Sequence, residues 1–287
     1  MLGYVLASLL LLVATLYAFA SYRVGAARSA RYAPPTAALL PPDRTSAARG
    51  AHLVTVLGCN DCHTQDLGGG LVADAPPFRA AAVNLTRGAG GVGARLTPAA
   101  VEHAVRRGVG HDGRPLLVMP NYEALTDADV VALHTYLASL PPVDRPSEGV
   151  VIKPLGRMVF GLGGLPDHYP GRLERPAAPE ARSPTGPTAE HGRYLAALTC
   201  VHCHGDDLRG AQPPNPTSPP APSLEAASRW SEAQFTAALH EGRRPSGPAL
   251  DAAYMPWKAF RHMSAEEVRA LHAYLKQTLG STTTARR

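Results

Sequence analysis

Cys59-Asn60-Asp61-Cys62-His63 and Cys200-Val201-His202-Cys203-His204 are two copies of Cys-x-x-Cys-His, and together they use all four cysteines of the chain. This pattern is the attachment signal for c-type haem. Each thiol adds across one vinyl group of the porphyrin, while the adjacent histidine reaches the iron through an imidazole nitrogen. Other chemistries fit less well. Zinc ribbons place their cysteine pairs about 15 to 20 residues apart, whereas well over a hundred residues separate Cys62 from Cys200. A thioredoxin-like dithiol needs a βαβ context that neither motif has. A disulfide across a two-residue gap closes a strained loop and leaves His63 and His204 without a role. The sequence therefore predicts two covalently bound haem c groups, one at Cys59, Cys62 and His63 and one at Cys200, Cys203 and His204.

Working outward from these motifs, a shift of about 140 residues aligns the chain with itself. Gly50-Ala51-His52-Leu53 precedes the first motif as Gly192-Arg193-Tyr194-Leu195 precedes the second. Met119-Pro120 matches Met255-Pro256, and Leu133-His134-Thr135-Tyr136-Leu137 matches Leu271-His272-Ala273-Tyr274-Leu275. Each copy reads as three main helices joined by long loops. The first helix runs from Thr45 into Cys59, or from Thr188 into Cys200. The middle helix starts at Thr97-Pro98 or at the capping box of Ser231 with Gln234, and it stops at Gly108 or Gly242. The last starts at Thr126 with Asp129 or at Ser264 with Glu267. Val130, Leu133, Leu137 and Leu140, like Val268, Leu271, Leu275 and Leu279, recur at helical spacing and should face inward. Strand signals are weak throughout, so the expected class is mostly α.

Ahead of the repeats, Met1 to Tyr22 contains no charge and supplies about twenty apolar residues, enough for one membrane-crossing helix. The segment is an export signal that reads as an uncleaved anchor, with a removable signal peptide cut after Ala18-Phe19-Ala20 as the alternative. Arg23, Arg28 and Arg31 follow it, which on charge alone would keep the body in the cytoplasm; long domains cross largely regardless of flanking charge. The expected organisation is then an anchor or signal at 1–22, a tether at 23–43, repeats at 44–143 and 188–280, an irregular connector at 144–187 and a tail at 281–287. With 27 Gly and 28 Pro among 287 residues, loops should be abundant without disorder prevailing. The formal charge of +5 is spread over scattered arginines with no aromatic interleaving, so nucleic acid is not an expected partner.

Whether each haem is closed depends on its sixth ligand. Met119 and Met255 lie at equivalent places, roughly 50 to 60 residues beyond their histidines, each in a loop before the last helix and each followed by Pro, which fixes the backbone direction. A thioether favours Fe(II), so His/Met ligation holds a potential high. Met263 is the reserve candidate in the second copy and His111 an alternative in the first, while His134 and His272 read as packing or polar-face residues and His202, inside the second motif, points away from the iron if Cys200 and Cys203 are both bonded.

The run Val83-Asn84-Leu85-Thr86, the loop Gly108 to Leu116, Met119-Pro120 and Leu140-Pro141-Pro142 resemble the membrane-anchored cytochrome c subunits of bacterial periplasmic alcohol, aldehyde and gluconate dehydrogenases. Met255-Pro256-Trp257-Lys258-Ala259-Phe260 has the same look. The resemblance implies two class I cytochrome c domains that pass single electrons from a periplasmic dehydrogenase or a quinol-oxidising complex to a terminal oxidase or another acceptor. It implies no catalytic residues in this chain, a location on the periplasmic side of the bacterial cytoplasmic membrane, or free in the periplasm if the leader is cleaved. It also implies that a proline carbonyl orients the proximal imidazole; Pro222 keeps that residue, and Val83 in its place suggests that another carbonyl takes over. The competing function is a catalytic di-haem cytochrome of peroxidase or thiosulfate-oxidising type, with one open or unusual haem.

Overall fold

The computed structural model describes residues 1–33, 46–163, 182–213 and 218–280. In chain order the elements are α1 (Leu2–Ser29), α2 (Ser46–Val56), α3 (Cys59–His63), β1 (Gly70–Asp74), β2 (Phe78–Ala82), α4 (Pro98–Arg107), α5 (Asp127–Ser139), β3 (Val150–Ile152) and α6 (Pro154–Gly163). They continue with α7 (Ala189–Thr199), α8 (Val201–His204), α9 (Glu225–Ser228), α10 (Glu232–Glu241), α11 (Trp257–Phe260) and α12 (Ala265–Leu279). About half of the described residues are helical. Helix ends follow the local chemistry. Thr97 Oγ1 accepts from the Ala100 amide ahead of Pro98, and Ser231 with Gln234 and Ser264 with Glu267 close reciprocal capping boxes. Helices α4 and α10 both end on a glycine at φ 67°, Gly108 and Gly242, a left-handed turn that costs a residue with a Cβ about 1 kcal/mol or more. The first expected helix begins at Thr45, which lies outside the described residues. Helix α1 runs through Ser29, so the start of the expected tether is helical; most of the rest of the tether, residues 34–43, and the tail 281–287 also lie outside them.

The chain gathers into two compact units. One comprises Met1–Leu39, Asn60–Asn121 and Leu137–Ala178. In it the helices are accompanied by a small sheet that the sequence did not lead one to expect: β1, β2 and β3 pair antiparallel in that order. Its strands are three to five residues long; β2 is Phe-Arg-Ala-Ala-Ala, without alternation or β-branching, and β3 is β-branched throughout as Val-Val-Ile but only three residues long, too short a run to read as a strand in sequence. Part of the connector expected at 144–187 is therefore regular: β3 closes the sheet and α6 follows it. Helix α6 packs on the turn before β2, where a Cβ on Gly156 would fall 1.9 Å from the Pro77 carbonyl oxygen. Its Phe160 ring lies 6.3 Å from that of Phe78. Among the described residues α1 is the one helix long and apolar enough to cross a membrane.

The other unit comprises Leu40–Cys59, Tyr122–Tyr136 and Pro179–Arg287. It contains two helix pairs built on the same device. A Cβ on Gly50 of α2 would sit 2.1 Å from the Ala132 carbonyl oxygen of α5 and 2.7 Å from Tyr136 Cβ. On Gly192 of α7 it would sit 2.0 Å from the Ala270 carbonyl oxygen of α12 and 2.7 Å from Tyr274 Cβ. In both pairs the missing side chain lets the backbones touch. Val268, Leu271, Leu275 and Leu279 are all buried against α7 and α10, as their spacing predicts; of the matching set, Val130 and Leu133 are buried while Leu137 and Leu140 are half-buried.

A polar cluster fastens this second unit from within. Arg49 donates to both oxygens of Asp129 at 3.0 and 2.9 Å and to Glu267 at 3.2 Å. Tyr194 donates to Asp129 at 2.6 Å, and His52 Nε2 lies 2.8 and 2.9 Å from the two Glu267 oxygens. Burial opposes ionisation of Glu267, yet the hydrogen bonds from His52 and the Ser264 amide, with the charges of His52 and Arg49, outweigh it and hold the carboxyl at about 2. A carboxyl depressed in this way stabilises the fold above its unfolded pKa of about 4.3 and loses that contribution as pH falls toward 2.

Two outcomes follow from this packing. Gly192→Ala forces α7 from α12 and should destabilise the unit by about 1–3 kcal/mol, read as a lower urea midpoint by far-ultraviolet circular dichroism. The native chain should exceed Glu267→Gln in stability at neutral pH, with the gap closing between about pH 5 and pH 2; a gap independent of pH would refute the role given to the carboxylate.

Candidate functional site

Each Cys-x-x-Cys-His motif lies on a short helical stretch that continues from a long helix, α3 after α2 and α8 after α7. The four cysteines are half-buried free thiols, none of them in a disulfide. After each histidine the backbone turns left-handed at once, at Thr64 (φ 67°) and at Gly205 (φ 81°). The chain then closes back on the motif: the Gly69 amide donates to the His63 carbonyl and the Gly210 amide to the His204 carbonyl, both at 2.9 Å. Between them Leu67 and Leu208 adopt φ 53° and 59°, are buried, and accept at their carbonyls from the Leu85 and Leu224 amides, both at 2.9 Å. The two loops are superimposable in their bonding.

This loop delivers the imidazole to a fixed partner. His63 Nδ1 donates to the Val83 carbonyl at 2.8 Å, and His204 Nδ1 donates to the Pro222 carbonyl at 2.7 Å. The expectation that some other carbonyl replaces proline in the first copy is thus corrected: the acceptor is the carbonyl of Val83 itself. The bond uses a main-chain oxygen that any residue supplies, so the position tolerates the change. With Nδ1 occupied, Nε2 is the nitrogen available to an iron. Burial lowers the pKa of both histidines, against the opposing effect of the carbonyl bond, and so keeps the imidazoles neutral, as ligation requires. Burial also raises the thiols, Cys62 with help from Asp61 and Cys200 up to about 11. Paired free thiols beside an oriented neutral imidazole fit a covalently held haem.

Sequence reasoning missed the residues that press the acceptor segment into place. A Cβ on Gly69 (φ 79°) would fall 2.5 Å from the Ala82 carbonyl oxygen and 2.8 Å from the Asn84 nitrogen, on either side of Val83. On Gly210 (φ 101°) it would fall 2.8 Å from the Ala221 carbonyl oxygen and 3.0 Å from the Ser223 nitrogen, on either side of Pro222. The signal was present as Asp-Leu-x-Gly at the same offset after each motif, Asp66 to Gly69 and Asp207 to Gly210. In the first copy Asn84 further fixes the segment, donating to the Val143 carbonyl at 2.6 Å and accepting from the amide and hydroxyl of Thr86 at 2.8 Å. Arg145 clamps the loop itself, reaching Asp66 at 2.9 Å and the Gly69 carbonyl at 3.0 Å, and holds the Asp66 carboxyl well below the usual range.

Met119 and Met255 are both half-buried, and their loops are moored alike. The Leu116 amide donates to the Gly108 carbonyl at 2.6 Å, and the Leu250 amide to the Gly242 carbonyl at 2.7 Å. The residue two beyond each methionine packs on the same glycine, Asn121 on Gly108 and Trp257 on Gly242, where a Cβ would come within 2.6 and 2.7 Å. Met255 packs against the core together with Cys200, Leu224 and Trp230. Met263 is buried in that core at 3% exposure, its carbonyl 3.1 Å from His240 Nε2. His111 Nε2 accepts from Arg95 at 3.3 Å. His272 is buried and stacked on Phe235, and the His202 ring lies 5.8 Å from that of Tyr122.

Gly210→Val should drive residues 221–223 off the loop and misplace the Pro222 acceptor. The expected result is several-fold less haem per chain at Cys200 and Cys203, read by pyridine haemochrome absorption and the mass of the corresponding peptide, with the mass of the peptide around Cys59 unchanged.

Residues 189–279 match the family model for cytochrome c. The chain is 26% identical over 268 residues, 81% of its length, to the fructose dehydrogenase cytochrome subunit of Gluconobacter japonicus, of which it spans 52%. It is 36% identical over 103 residues, 33% of its length, to a subunit of the nicotinate dehydrogenase of Pseudomonas putida, of which it spans 9%. The chain therefore covers about half of the first relative and a small part of the second. Both relatives are named as dehydrogenase subunits. The match marks residues 189–279 as a cytochrome c domain, which implies a covalently bound haem c there.

Proposed function

We propose that this chain is a di-haem c-type cytochrome, held by α1 to the bacterial cytoplasmic membrane with its cytochrome units, 44–143 and 188–280, on the periplasmic side. It carries single electrons from a dehydrogenase, or a quinol-oxidising complex, to a terminal oxidase or similar acceptor. The observation that carries the reading is the repeated histidine tether: His63 on the Val83 carbonyl and His204 on the Pro222 carbonyl, each behind the same glycine-braced loop. What supports the reading is that the same bond recurs at the histidine of both Cys-x-x-Cys-His motifs, at the same place behind the same loop.

Haem, when bound, supplies the one-electron Fe(III)/Fe(II) couple. The side chains of this protein hold it and set its character. Cys59 and Cys62, like Cys200 and Cys203, would provide the thioether links; His63 and His204 would bind the iron through Nε2; Met119 and Met255 would supply the second protein ligand of each. The last assignment rests on the equivalent mooring of their loops to Gly108 and Gly242. Two protein ligands on each iron exclude substrate and leave outer-sphere electron transfer as the work of the site. A dehydrogenase donor follows from the names of the two relatives.

The test is a haem count with ligand spectroscopy on the full chain. Two haems per chain, low spin when oxidised, with the near-red methionine-to-Fe(III) absorption present, are expected. Met119→Ala and Met255→Ala should each remove about half of that absorption and generate one high-spin haem. A single haem would refute the reading, and a high-spin iron in the native oxidised chain would favour catalysis instead.

A further inference from the structure

Helix α6 is apolar on the side that no described residue of its unit covers. Its inward residues are accounted for: Gly156 against Pro77, Phe160 against Phe78, and Gly161 against α1. Leu155, Met158, Val159 and Leu162 follow the i, i+3, i+4, i+7 pattern that normally marks a core-facing stripe. Here the stripe points outward, with Leu155, Val159 and Leu162 at 53%, 50% and 43% exposure.

The position of α6 on α1 indicates what covers this stripe. A Cβ on Gly161 would lie 2.4 Å from the Ala20 carbonyl oxygen and 2.6 Å from Ala20 Cβ. Arg23 donates to the Gly161 carbonyl at 2.8 Å, and further along α1 Arg28 donates to the Val150 carbonyl at 3.0 Å. The two helices are therefore antiparallel, with the C-terminal end of α6 toward the apolar run of α1. Residues 2–20 of α1, at 1.5 Å each, extend about 28 Å, close to the hydrocarbon thickness of about 30 Å. The first charge, Arg23, stands where that run ends. Gly161 and Leu162 thus fall at the level where acyl chains meet headgroups, and the stripe continues the exposed apolar surface of α1. Arg23, Arg28 and the exposed Arg157 border it with positive charge suited to anionic headgroups.

We propose that α6 is a second bilayer contact, which dips its Leu162 end into the acyl–headgroup boundary beside α1 and fixes the orientation of its unit on the membrane. The proposal rests on α1 remaining as an anchor. It also gives Ala20, fully buried under Gly161, a packing role in place of one as a cleavage residue.

The full-length holoprotein in phosphatidylethanolamine/phosphatidylglycerol vesicles provides the test. A nitroxide is placed in turn on Leu10→Cys, Leu155→Cys, Leu162→Cys and, as an aqueous reference, Arg243→Cys, with label stoichiometry checked by mass. The ratio of collision with oxygen to collision with a water-soluble nickel chelate should be highest at Leu10. At Leu162 it should exceed that at Arg243 several-fold, with Leu155 intermediate. A Leu162 ratio equal to that of Arg243, with Leu10 lipid-like, overturns the α6 contact and leaves the anchor standing. A mature chain that begins after Ala20, or a water-like Leu10, overturns the anchor itself. A Leu162 label immobilised and shielded from both colliders would show a protein surface on the stripe and also overturn the proposal.

Discussion

The hydrogen bond from a proximal imidazole Nδ1 to a main-chain carbonyl is the constraint around which this chain is organised. It fixes tautomer and ring plane together. It can form only if a loop returns the backbone some twenty residues later to within 3 Å of the histidine, and much of the local architecture serves that return. The left-handed turn at Thr64 or Gly205 starts it, and Leu67 or Leu208 buries its side chain while offering a carbonyl to the returning strand. Gly69 or Gly210 gives the close backbone contact that sets the final distance. Thr64, Leu67 and Leu208 take left-handed conformations that cost a residue with a Cβ, while glycine takes Gly69, Gly205 and Gly210 without that cost, and the same sequence of turns recurs in both copies.

The two copies reach the same bond by different means, and the difference explains why they look unequal in sequence. In the second copy Pro222 stiffens the acceptor segment through its own ring. In the first, Val83 has no such constraint, and the stiffness comes from outside: Asn84 and Thr86 lace the segment to the Val143 backbone, and β2 leads into it directly. Arg145 adds a clamp on Asp66 and the Gly69 carbonyl. A sequence comparison sees a missing proline; the structure shows a local restraint replaced by a distributed one.

Much of this was legible before any coordinates. The motifs, the caps at Thr97, Ser231 and Ser264, the stops at Gly108 and Gly242 and the buried stripe of α12 each depend on interactions within a few residues, which local pattern reports. The sheet was not, because β1 and β2 are held by pairing with each other and with β3 some seventy residues away, and a run such as Phe-Arg-Ala-Ala-Ala carries no strand preference of its own. The connector was misleading for a related reason. Its Gly and Pro content reads as loop, yet Gly156 and Gly161 are small so that α6 can lie directly on Pro77 and Ala20. Glycine there signals close approach, not irregularity.

The cluster at Arg49 shows a residue pattern whose local meaning is true and incomplete. Asp129 and Glu267 occupy the same N3 position of α5 and α12, three residues after Thr126 and Ser264; both donate their amides to the cap hydroxyl, but only the Glu267 carboxylate accepts from its cap amide, the Thr126 amide donating to the Tyr194 hydroxyl instead. Their carboxylates nevertheless point on to a single guanidinium from α2. Two helix N-termini, each carrying about half a positive charge, lie against the same arginine. Without the carboxylates this would be a repulsive arrangement in a largely buried place; with them, the charges alternate. Tyr194 and His52 then take the lone pairs that Arg49 leaves over. Glu267 thus closes its own helix end as well, and the pair of acids joins α2, α5, α7 and α12 within a single compact unit.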